Sequence, residues 1–135
     1  MRRKLLIVGF ENTKSSDARD AMEPYTPNGA GERLYHMVNA VKKISKEEYC
    51  RRIDFVNVAG SGGIGIDAVK EMMKKSKETV VIGLDAWYAM KLYRVTGFWD
   101  KRDGAYLVPH TSGKNYLYNL EEACRKTGHL IWKFL

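Results

Sequence analysis

Three side chains in this 135-residue chain stand where apolar runs give way to polar turns: Glu11, Asn57 and His110. A carboxylate can orient or deprotonate a water, an imidazole can stabilise charge on a leaving group, and an amide can read a donor–acceptor edge. Taken singly, each has an ordinary reading as a solvated loop acid, a turn-capping amide or a surface histidine. Their shared position after predicted strands is what joins them.

Further candidates surround these three. Ser112, Gly113, Lys114 and Asn115 follow His110 and lead into a predicted helix, offering hydroxyl, amide and ammonium donors of the kind that hold a phosphate; the same residues also make good turn chemistry. Tyr25, between Pro24 and Pro27, presents an aromatic face that can stack on a base or pin its loop to the core. Gly60-Ser61-Gly62-Gly63-Ile64-Gly65 satisfies G-x-G-x-x-G between a predicted strand and helix, with Asp85 about twenty residues on, as a dinucleotide-binding turn requires. That unit starts at the second strand, and no second mononucleotide half fits after it. Cys50 and Cys124 lack the spacing of a thiolate metal site, so no thiolate-based metal centre is expected.

The elements that must position these residues can be read from periodicity. Residues 4–8 form a short continuous apolar strand, and residues 10–28 a polar loop. Leu34, Met37, Val38 and Val41 give a helix from Gly31 to about Lys43, and Ser45 to Glu48 has capping-box spacing. A second strand is predicted over 53–58, a helix over 66–77 and a third strand over 79–83. Asp85 is placed to cap a helix running to about Arg94. A fourth strand covers 106–108 and a turn 109–113. Asn115 could cap a last helix with Leu117, Leu120 and Cys124 inward and Gly128 at its C-terminus. Strands alternating with helices predict a single α/β domain over residues 1–135, a three-layer sandwich around a four-stranded, mainly parallel sheet. In such sheets the ligand crevice lies outside the carboxyl ends of the strands.

Composition narrows the class. With 44% hydrophobic and 29% charged residues the chain is globular, and its net charge of +7 favours a polyanionic partner. The basic excess is larger in the second half, where 12 basic residues face 7 acidic ones over 68–135. The apolar run after Met-Arg-Arg-Lys is four residues long, too short for a signal peptide or membrane span, so a cytoplasmic setting with free thiols and no membrane partner is expected.

The ordered blocks resemble the uracil-DNA glycosylase superfamily. Leu5-Leu6-Ile7-Val8-Gly9-Phe10-Glu11-Asn12 is similar to its first motif, with Glu11 at the position of the aspartate or asparagine and Asn12 in place of a proline. Pro24-Tyr25 with Gly29-Ala30-Gly31-Glu32-Arg33-Leu34 resembles the stretch whose aromatic stacks on the extruded base. Asn57 ends a strand like the one whose asparagine reads the base, and Pro109-His110-Thr111-Ser112-Gly113 resembles the His-Pro-Ser motif, with Thr111 for the proline. The resemblance implies a monomeric, cofactor-free glycosylase acting on uracil or another altered pyrimidine in DNA, or on a free nucleotide or nucleobase. Glu11 and His110 would be catalytic; Phe10, Tyr25 and Asn57 would hold the base; Ser61, Ser112, Gly113, Lys114 and Asn115 would hold phosphates. An inactive nucleic-acid-binding module of the same fold, and a dinucleotide-binding domain using residues 60–65 and Asp85, are the alternatives.

Overall fold

Leu5–Gly9, the first strand (β1), is buried at every residue, as its unbroken apolar run requires of a strand covered on both faces. In the computed structural model, which describes residues 3–11, 22–25, 29–60, 62–95, 97–111 and 121–135, β1 lies inside a mixed sheet. It pairs in parallel with β2 (Ile53–Asn57) on one side and β3 (Glu78–Ile82) on the other. The next strands are β4 (Lys101–Arg102) and β5 (Ala105–Val108); β5 runs parallel to β3 and β4 antiparallel to β5, giving the order β2-β1-β3-β5-β4.

The described residues thus form an α/β fold with five strands where four are predicted. The additional strand is a short exposed ribbon folded back by Asp103 and Gly104, whose φ values of 51° and 85° make a two-residue turn of the mirror-image type that Asp-Gly favours. That dipeptide is the signal in the sequence that identifies the hairpin.

Helices cover both faces. Alternate residues of β1 point to opposite sides, so Leu5 and Ile7 join Leu34, Val38, Tyr49 and Ile131 in one core cluster, while Leu6 and Val8 join Val69, Ala86 and Trp87 in another. The first cluster is closed by α1 (Ala30–Val41), α2 (Lys46–Arg51) and α5 (Glu121–Lys133), and the second by α3 (Ile66–Lys75) and α4 (Leu84–Ala89). Ser45 caps α2 as predicted, its Oγ accepting the Glu48 amide at 3.1 Å.

Three predicted helix ends require correction. Asp85 does not cap α4: Gly83, at φ 88°, occupies the N-cap position and Asp85 lies in the first turn. The helix also stops at Ala89 instead of about Arg94. Lys91 adopts φ 57°, and the bonds Lys91 N–H to Tyr88 C=O (2.9 Å) and Leu92 N–H to Trp87 C=O (3.2 Å) form a Schellman closure, with Leu92 buried.

Gly128 does not end the last helix; it sits within α5, where its missing side chain lets α1 approach. A Cβ there would lie 2.4 Å from the Met37 carbonyl oxygen. The same contact brings Trp132 Nε1 to 2.6 Å from the Val38 carbonyl, which accepts its hydrogen bond. The predicted cap Asn115 and inward residues Leu117 and Leu120 lie outside the described residues, whereas Cys124 is half-buried on α5.

Candidate functional site

The strand order reverses direction between β1 and β3, so the crevice expected of an open α/β sheet lies over the ends of these strands and their neighbours. Phe10 and Glu11 follow β1, Asn57 closes β2, Gly83 follows β3 and His110 follows β5. All therefore stand on one rim.

Asn57 is buried at 3% exposure, an unusual place for a carboxamide at the end of an edge strand. Room for it comes from Gly9 in the adjacent strand: a Cβ on Gly9 would lie 2.5 Å from Asn57 Oδ1 and 3.2 Å from Met22 Cγ. Pairing between the two strand ends continues beyond the regular ladder, through Val58 N–H to Gly9 C=O (3.0 Å) and Ala59 N–H to Phe10 C=O (2.8 Å). This carries Glu11, which is exposed, over Gly60, where a Cβ would meet Glu11 Cβ at 2.8 Å and Oε2 at 3.2 Å. Asn57 and Glu11 are thus held by adjacent strand ends, each against a glycine. Phe10 packs on the core face covered by α3 and α4.

A groove of about 350 Å³ runs along the β2 edge and is lined in part by Glu23, Cys50, Phe55, Asn57, Gly62 and Ile64. Tyr25, half-exposed, adjoins it through a hydrogen bond with Cys50 that pushes the phenol up to about 12, with burial adding to the rise. Burial pushes the Cys50 thiol up as well. Glu23 and Cys50 line this groove without a mark in the sequence, since a lone acid in a polar loop and a cysteine on a short helix carry no periodic signal.

The second half of the rim is built on β3 and β5. His110 is partly buried against Gly83, and burial holds its imidazole below the ordinary 6.5 despite an opposing pull from Asp85. Thr111 is fully buried, and its hydroxyl donates to the Ala30 carbonyl at 2.8 Å, fastening the segment after β5 to the start of α1. With strands spaced about 4.8 Å apart, the β5 end stands about 10 Å from the β1 end and about 14 Å from the β2 end. The rim thus brings Glu11 and Asn57 together and sets His110 across the switch point from them. Ser61, Ser112, Gly113, Lys114 and Asn115 lie outside the described residues.

The glycine-rich turn is arranged differently from a dinucleotide cradle. It follows the edge strand β2, away from the switch point, and the amides of Gly63, Ile64 and Gly65 donate within the turn to Gly60, Asn57 and Val58. Asp85 follows β3, on the far side of β1 from that turn, where its charge acts on His110. Among the described residues, no group of three or more His, Cys, Asp or Glu side chains could hold a metal, and no helix is long and apolar enough to cross a membrane.

Comparison with models of protein families, with curated proteins and with solved structures gives no match to this chain.

Proposed function

We propose that the protein is a DNA glycosylase of the uracil-DNA glycosylase type, which extrudes uracil or another altered pyrimidine from DNA and hydrolyses its N-glycosidic bond. The observation that supports this reading is the strand order β2-β1-β3-β5, which leaves an amide, a carboxylate and an imidazole at strand ends on one rim of the sheet. Asn57 reads the base edge from its buried seat beside Gly9, and Tyr25 offers an aromatic face at the margin of the groove. The bond from the sugar C1′ to the base nitrogen breaks with its electron pair leaving on the base. His110, kept neutral at pH 7 by burial, donates an N–H hydrogen bond to the base anion. Glu11 stabilises the cationic sugar and orients the water whose oxygen bonds to C1′, accepting the proton that the water loses and passing it to the departed base anion. The net charge of +7 suits the phosphate backbone.

A non-hydrolysing nucleic-acid binder of the same fold is the second reading, favoured by the two strand steps between Glu11 and His110. A panel of oligonucleotides, each carrying one altered base and scored for alkali-labile sites, separates the two. The glycosylase reading expects cleavage at one class of altered pyrimidine. Salt-dependent binding with no abasic product on any substrate would favour the binder.

A further inference from the structure

Among the described residues six large apolar side chains are exposed, and four of them, Leu84, Tyr88, Tyr93 and Val95, fall within one twelve-residue segment. Single exposed apolar residues are ordinary on a soluble surface, whereas a contiguous group marks a contact. This segment begins at the candidate rim, immediately after the Gly83 that His110 packs against. Tyr88 is 46% and Tyr93 69% exposed, yet their rings lie nearly parallel, 22° apart with centroids 6.4 Å apart. The two rings are thus stacked on one another while both remain about half exposed or more.

The turn that creates this pair also places charge beside it. Lys91 takes the left-handed conformation at the Schellman position, where glycine is the default and a side chain is strained. The reversal brings Tyr93 back alongside Tyr88, with the exposed cations Lys91 and Arg94 next to the two rings in the chain. Aromatic faces interleaved with cations match an unpaired strand, whose bases are free to stack and whose phosphates lie between them. In a duplex those faces are already stacked on one another.

We propose that residues 84–95 form a binding surface for single-stranded nucleic acid, with Tyr88 and Tyr93 stacking on bases and Lys91 and Arg94 pairing with phosphates. The inference rests on the nucleic-acid part of the proposed function and not on base excision. It adds that the strand beside the crevice is held unpaired.

The test is fluorescence anisotropy with an end-labelled oligothymidine of about 15 nucleotides, the matching RNA and a duplex, across a salt series. Tyr88→Ala and Tyr93→Ala should each weaken single-strand binding by about tenfold while changing duplex binding by less than about twofold. Lys91→Gly is the deciding variant, because it relieves the backbone and removes the ammonium together. It should keep or raise the melting temperature, yet weaken single-strand binding and lower the salt slope by about 0.7. The DNA and RNA arms tell which sugar the surface prefers. Unchanged single-strand affinity in all three variants, or no single-strand binding by the unaltered protein, overturns the proposal. Base release by the unaltered protein, measured alongside, reports separately on the glycosylase reading.

Discussion

His110 fills the space that a side chain at position 83 would need: a Cβ built on Gly83 would lie 3.0 Å from His110 Cβ and 3.1 Å from its Cδ2. The residue after β3 thus fixes how deeply the imidazole after β5 can settle, and that depth depresses its proton affinity. Two strand ends cooperate in setting one chemical property.

Stability should follow this depression with a definite sign. Unfolding returns the imidazole to its ordinary value near 6.5, so between that value and the lower folded one the unfolded chain binds a proton that the folded protein does not. The stability associated with neutral His110 is complete above pH 6.5 and is lost as the pH falls through the folded value. Urea midpoints measured from pH 7 down to pH 5 should fall more steeply for the unaltered protein than for His110→Gln; parallel curves would refute the assignment.

The proposed glycosylase reading expects Glu11→Gln and His110→Ala each to lower the rate of base release by about 10² to 10⁴, the usual span for a positioned acid–base or charge-stabilising group. Affinity for the same oligonucleotide should change far less. Single-turnover kinetics on the preferred substrate is the measurement, and retention of full rate by either variant would remove that residue from the mechanism.

Gly128→Ala tests the contact between α1 and α5. In an exposed helix interior this change is favourable by about 1 kcal/mol. Here the new Cβ would meet the Met37 carbonyl oxygen at 2.4 Å and Val41 Cγ2 at 2.9 Å, and a backbone oxygen yields only if the helices separate. Overpacking should prevail, with a net loss of about 2 kcal/mol in urea unfolding. A gain in stability would show that the helices part freely.

Tyr49→Phe should act in the opposite direction. Tyr49 is completely buried, between Tyr35 and Phe55, and its hydroxyl has no hydrogen-bond partner among the described residues. Removing an unsatisfied buried hydroxyl while keeping the ring should raise stability by about 1 kcal/mol. Thermal unfolding of the two proteins compares them directly, and a lower melting temperature for the variant would mean that the hydroxyl is satisfied in solution.

Much of this architecture is legible in the sequence because burial on two faces leaves a plain mark. The run Leu5-Leu6-Ile7-Val8 reads as an inner strand, and Leu34 and Val38 read as the inward stripe of a helix. Contacts between backbones were harder to foresee. Gly128 has the composition of a helix terminus, and only the partner helix reveals that it is a crossing point. Lys91 gives no sign of ending a helix, since its conformation is imposed by Leu92 turning inward. At the candidate site, the placement of Asn57 and His110 after strands was readable, whereas the glycines that seat them, Gly9 and Gly83, acquire meaning only from the neighbouring strand.

The seating of α5 on α1 also governs the order in which the molecule can be completed during synthesis. Leu34 and Val38 emerge from the ribosome long before Gly128, Ile131 and Trp132, which are needed to cover them. A nascent chain paused before residue 121 would carry α1 and α2 on that face of its β-sheet, with the side of α1 that α5 covers still open to solvent and to chaperones. Completion of that face, and with it a durable fold, waits until α5 has left the tunnel.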